Sequence, residues 1–88
     1  MAYKIILTVI SQKGHCELGH KVGDVITCTE EGVQGRLCFH ALYSLVPKVF
    51  AMMYGADFYW LPDTDVCTHA CPDADNPVVF EVRRVQDE

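Results

Sequence analysis

The reactive side chains of the chain are densest in Cys67-Thr68-His69-Ala70-Cys71-Pro72-Asp73, followed by Asn76-Pro77 and the apolar run Val78-Val79-Phe80. Thiols, an imidazole and a carboxylate in one short stretch are the groups that bind soft metal ions or act as nucleophile and base. Further donors of the same types stand at His15-Cys16, His20 and Cys38-Phe39-His40. Spacing limits what the first stretch does alone. If residues 67–71 form a strand, Cys67, His69 and Cys71 share one face and the two cysteines stand roughly 13 Å apart. That is too far for a disulfide, whose Cα separation is about 4.4–6.8 Å. It is also too far for two sulfurs on one zinc at about 2.3 Å each. His69 therefore joins at most one of them, unless the chain bends before Pro72.

The other donors each carry a plain reading beside the chemical one. Cys16-x-x-x-His20 has a spacing that loops and helices both turn into chelation, and Gly14 and Gly19 leave the backbone free to do so; otherwise it is an exposed loop with an incidental thiol. His15 could replace His20. Cys38 lies beside Leu42 on an apolar helix face, where a small core residue is the competing reading. His40 falls toward the opposite, exposed side. Cys28 ends an apolar strand and is expected to be buried. Asp73 either orients a histidine ligand or, with Asp75, Asn76 and Pro77, simply makes a turn. Met52-Met53 and the aromatics at 58–60 read as packing.

Composition narrows the setting. With 88 residues a single domain is expected, and a chain of that size buries only about 60–65% of its unfolded surface. A thin core of that kind benefits from a bound metal or an oligomer interface. The formal charge of −5, with Lys and Arg scattered singly, offers no basic face, so nucleic acid and anionic membrane are poor partners. The apolar run Ile5-Ile6-Leu7 with Val9-Ile10 is shorter than a signal-peptide core and no small-residue cleavage site follows it, so a cytoplasmic location is expected. There the five cysteines stay reduced, and an odd number cannot all pair within one chain.

The elements that must hold these groups follow from periodicity. Residues 3–11 are rich in β-branched residues with apolar groups on both faces, which predicts a strand near the middle of a sheet, covered on both sides. A loop over residues 12–19 leads through a Gly-Asp turn into a strand at 25–28. Residues 29–35 read as punctuation, with Glu30 and Glu31 placed as at a helix start. Leu37, Cys38, Ala41, Leu42 and Leu45 recur at helical spacing. Pro47 predicts an end to that helix and the start of a second, short one running to Tyr54 and stopped by Gly55. Residues 56–65 read as an ordered loop with its aromatics folded onto the helices. Strands are expected at 66–70 and 77–85, and a loose tail at 86–88. The resulting fold class is α+β: a small, mostly antiparallel, partly closed sheet with a helical pair over about 36–54 packed on one side.

Taken together, Gly19-His20-Lys21-Val22-Gly23-Asp24, Gly35-x-x-Cys38, the Tyr43…Pro47 step, Gly55 with the Trp60 loop, and Cys71-Pro72-Asp73…Asn76-Pro77-Val78-Val79-Phe80-Glu81 resemble a family of small uncharacterised prokaryotic proteins of about this length. The resemblance brings no activity with it. It implies that Cys16, His20, Cys38, Cys71 and Asp73 belong to a shared pattern, whereas Cys28, Cys67 and His69 match no part of it.

The function expected first is a non-catalytic metal- or cluster-binding module with Cys16, Cys38 and Cys71 as thiolate ligands and His20 as the fourth. Four protein ligands make a closed structural zinc site, and three with an open position allow an iron centre or a catalytic metal; an iron–sulfur cluster is the further alternative. Two alternatives come from other classes: a thiol-based redox protein or enzyme with Cys71 or Cys16 activated by His20, and an accessory subunit, with a protein partner or a second copy, whose cysteines are merely buried.

Overall fold

A computed structural model describes residues 2–86. The expected loose tail lies outside the described residues at 87 and 88, whereas Gln86 is ordered in the last strand, paired with Tyr3. Six elements follow in order: β1 (Tyr3–Gln12), β2 (Val25–Thr29), β3 (Gly32–Gln34), α1 (Phe39–Met53), β4 (Val66–Ala70) and β5 (Val78–Gln86). The strands form one antiparallel sheet in the order β3-β2-β1-β5-β4. β1 is central, as its β-branched run predicts. Leu7 pairs with Ile26 on one side and Val82 on the other, and Val9 with Phe80.

Only one face of this sheet is sealed. Ile5, Leu7, Val9, Ile26, Val78, Phe80 and Val82 are buried under α1, along with Ala41, Leu45, Met52 and Met53 of the helix. Each large side chain removed from water in this way contributes about 1.5–3 kcal/mol. The other face carries Lys4, Ile6, Thr8 and Ile10 of β1, all at least partly exposed, so the expected covering on both sides is not complete. The register shifts between Val9 and Ser11, and Ile10 is the extra residue. Such a bulge re-aims the chain that follows it, which here is the loop carrying His15, Cys16 and His20.

Further expectations are corrected. The helical pair is one helix, unbroken through Pro47. Proline removes a hydrogen bond and costs about 3 kcal/mol in a helix interior. It is held here because buried residues anchor both halves, Ala41 and Leu45 before it and Met52 and Met53 after it. The sheet is open rather than partly closed: its edges are β3 and β4, and the three-residue β3 offers too short a ladder to reach around. Finally, the aromatics after the helix do not fold inward, since Tyr59 is 93% and Trp60 65% exposed, with only Phe58 packed against the core. β3 itself replaces the expected helix start: Thr29 pairs with Gly32 across Glu30-Glu31, and Gly32 takes the positive φ of 129° that the hairpin requires. No helix among the described residues is long and apolar enough to cross a membrane.

The predicted stop at Gly55 is in place. The Ala56 amide donates to Ala51 O and the Gly55 amide to Met52 O, with Gly55 at φ 91°, the Schellman closure that satisfies the last carbonyls. The chain leaving this cap is tied back by Arg84, whose side chain is 4% exposed. Its guanidinium donates to Asp65 Oδ1 at 2.9 Å, Asp57 Oδ1 at 2.9 Å, Ala56 O at 2.8 Å and Met52 O at 3.3 Å, and it stacks on the Tyr3 ring. Asp65 first, with Asp57 also contributing, holds its pKa above the ordinary arginine value.

On β4, Cys67 and His69 share one face, as expected, and that face turns toward the helix. Cys67 meets Met52 Sδ at 3.5 Å and His69 Nε2 lies 2.9 Å from Ser44 Oγ. Burial, helped by nearby Lys48, pushes the His69 pKa below its ordinary 6.5. The folded state therefore prefers the neutral ring. Stability from this group is full above the unfolded pKa near 6.5 and declines as the pH falls from there toward the lowered folded value. The melting temperature of the wild type is expected to fall on acidification through that window, and His69→Gln, which keeps a partner for Ser44, should remove that part of the decline. An unchanged slope in the variant refutes the assignment.

Candidate thiol site

Three segments meet at one end of the sheet. β1 and β5 pair as far as Gln12 and Val78, so the loop after β1 and the connection between β4 and β5 emerge side by side. The Lys13 amide donates to Pro77 O at 3.1 Å and the His15 amide to Asn76 Oδ1 at 2.8 Å, locking one loop to the other. Gly14 permits this approach: a Cβ there would stand 2.1 Å from Asn76 Oδ1. Within the second loop Asp73 Oδ1 accepts from the amides of Asp75 and Asn76, and Asp73 Oδ2 from Asn76 Nδ2. Asp73 is thus the turn former of the two readings, shaping the backbone rather than orienting a histidine.

The N-terminus of α1 closes the third side. Cys38 is the N-cap residue, and its side chain makes no capping bond, so its sulfur is not spent on the helix. The partial positive charge of a helix start favours negative charge on its neighbours.

Between these segments lies a cavity of about 180 Å³ lined by Cys16, His20, Cys38, Cys71 and Asp73, with His15, Glu17, His40 and Asn76 among its other walls. Cys16, Cys38 and Cys71 are each partly exposed, whereas Cys28 and Cys67 are buried in the core, where burial raises both thiol pKa values. All five are free. Cys71 extends the strand pairing through its amide to Val78 O, and its Sγ lies 3.3 Å from the Val78 amide, which donates to it. His40, expected to point away, stands at the rim.

His20 forms the floor. Its side chain is 2% exposed and its ring meets Phe80 edge-on at 5.7 Å between centroids. The Cys38 amide donates to Nε2 at 3.2 Å, which assigns the ring proton to Nδ1, 3.4 Å from Asp24 Oδ2. Asp24 is in turn fixed by the Lys21 amide, the main reason its pKa lies below the ordinary carboxylate value, with His20 a lesser one. Both ring nitrogens thus already have partners, and the imidazole positions the Cys38 backbone. Sequence spacing marked His20 as a donor; it gave no sign that the donor would be consumed by an amide eighteen residues away. The Arg84 anchor was also missed, since its partners are remote in sequence.

As placed, no three His, Cys, Asp or Glu side chains among the described residues are gathered closely enough to hold a metal ion. The three soft sulfur donors share a cavity, which fits the donor set of a thiophilic ion, while the fourth expected donor is engaged. No protein-family model, curated protein or solved structure matches the chain.

Proposed function

We propose that the protein is a small metal-binding module without catalytic activity of its own, in which Cys16, Cys38 and Cys71 take a soft metal ion. Zinc is the first choice and iron or an iron–sulfur cluster the alternative, because thiolate donors select these. The observation that carries this reading is that three thiols from three separate segments, each partly accessible, line one cavity. A second support is that the five potential donor residues the family resemblance singles out, Cys16, His20, Cys38, Cys71 and Asp73, line that cavity, and that Cys28, Cys67 and His69, which match no part of the resemblance, do not. Binding requires the thiols to draw together, and it would tie the first long loop, the helix start and the last loop to one another, where a thin core gains most from a staple. His20 acts from below by holding Cys38.

The test is metal content of reduced, untagged protein, with cobalt substitution to report sulfur ligation. One metal per chain and a sulfur-to-cobalt charge-transfer band are expected, both lost in Cys16→Ser, Cys38→Ser or Cys71→Ser and both kept in Cys28→Ser and Cys67→Ser. Folded protein that takes up neither zinc nor cobalt overturns the proposal. In that event iodoacetamide labelling decides the second reading, favoured by the accessibility of these same thiols: one of the three reacting far faster than an ordinary free cysteine indicates an activated nucleophile.

A further inference from the structure

Helix α1 presents an outer face that a solitary small protein has no use for. Phe39, Tyr43, Val46, Phe50 and the cap residue Tyr54 follow one another at steps of four, three, four and four, which keeps them on one stripe. They are 87%, 80%, 48%, 64% and 52% exposed. The solvent side of a surface helix is ordinarily charged or polar. Yet between Phe39 and Tyr54 the sole Lys, Arg, Asp or Glu is Lys48, and its ammonium is turned to Thr68 O on β4. An apolar groove of about 220 Å³ runs beside the stripe between the helix and the β2–β3 edge, walled by Val33, Val46, Val49, Phe50 and Tyr54 among others.

We infer that this face is the interface of a homodimer in which two copies of α1 pack antiparallel about a two-fold axis near Val46 and Pro47. Two features commit the stripe to a second copy. The first is its internal symmetry. Positions 39 and 54, and 43 and 50, are equidistant from the midpoint between 46 and 47, so an antiparallel partner sets Phe39 against the partner's Tyr54, Tyr43 against the partner's Phe50, and Val46 beside its own counterpart. An isologous interface demands this kind of self-complementarity. The second is area. At about 200 Å² per aromatic side chain, scaled by these exposures, the stripe offers roughly 600 Å² per copy. That is at the upper limit for the largest apolar patch of a monomer. It is about three-quarters of the roughly 800 Å² per partner that a standard-size complex buries. The helix itself contributes no acidic residue to the contact, and the one carboxylate beside the stripe, Glu30 on the β2–β3 hairpin, accepts from the Tyr54 hydroxyl at 2.6 Å.

The arrangement is independent of the thiol site, which lies beyond the N-terminal end of the helix in each copy.

Sedimentation across a range of protein concentrations tests it. The wild type should run at twice the 9.9 kDa chain mass. Tyr43→Lys alone and Phe50→Glu alone should each weaken the dimer by about 100-fold or more, because every substitution strikes the interface twice. The double variant Tyr43→Lys with Phe50→Glu should recover it, since the new charges face one another only in the antiparallel arrangement; a parallel pair would set lysine against lysine. Circular dichroism of each variant confirms that the fold is kept. A monomeric wild type, single variants that dimerise as well as the wild type, or a double variant that stays monomeric overturns the proposal.

Discussion

Arg84→Met is expected to lower the free energy of unfolding by about 3 kcal/mol, because a hydrogen bond from a charged donor contributes about 1.5–3 kcal/mol and several are lost together. The carboxylates account for little of this. Asp57 and Asp65 have side chains 71% and 56% exposed and return to water when the arginine is gone. The carbonyl of Ala56 is the costly partner, since it receives the shorter of the two backbone contacts, whereas Met52 O keeps the Gly55 amide. Methionine fills most of the space and so separates lost polar contacts from a cavity. For a domain of this size the melting temperature should drop by roughly 10–20 °C. Arg84→Lys keeps the charge but not the planar fork, and should recover less than half of the loss. Asp57→Asn should cost under about 1 kcal/mol, as for an exposed ion pair. A loss below that level for Arg84→Met would show that the loop after the helix is held by other means.

Arg84 also marks where reading the sequence stops. Val78, Phe80 and Val82 alternate inward on β5, and the same parity places Arg84 inside, so its direction was legible. What receives its charge was not, because Asp57 and Asp65 lie on a loop nineteen or more residues away that has no periodicity of its own. The strands were readable wherever β-branched runs end at turn formers: β4 lies where expected, and β2 and β5 within a residue. β3 was not, since all three of its residues are exposed and no burial alternation exists to detect. Pro47 misled for the reverse reason: the local rule for an interior proline is sound, but packing on both sides of it outweighs the rule. The exposed aromatics at Phe39, Tyr43, Phe50, Tyr59 and Trp60 show the same limit. Residue type suggests burial, and only the three-dimensional packing shows that the chain does not supply the cover.

The thiol site was legible as a set of residues and not as a geometry. Motif resemblance selected Cys16, His20, Cys38, Cys71 and Asp73, and these line one cavity. Their roles differ by environment, which spacing does not carry. Cys28 and Cys67 are chemically the same residue as the other three, but sit in hydrocarbon.

His20 provides the sharpest test of that division of roles. His20→Phe preserves an aromatic body against Phe80 but leaves the part-buried Cys38 amide without its acceptor, and an unpaired buried donor costs about 1–3 kcal/mol. His20→Gln can place its side-chain oxygen near the position of Nε2 and should restore most of that stability. If the imidazole is a positioning group, the Gln variant also binds cobalt with the same sulfur charge-transfer band as the wild type, while the Phe variant binds more weakly because Cys38 is no longer held. If the imidazole instead leaves Cys38 to become a fourth ligand, the Gln variant folds as stably as before but its cobalt spectrum changes, since a ring nitrogen has been removed from the coordination sphere. Stability and spectrum therefore move together under one account and separately under the other, which makes the comparison of Phe and Gln at this position decisive.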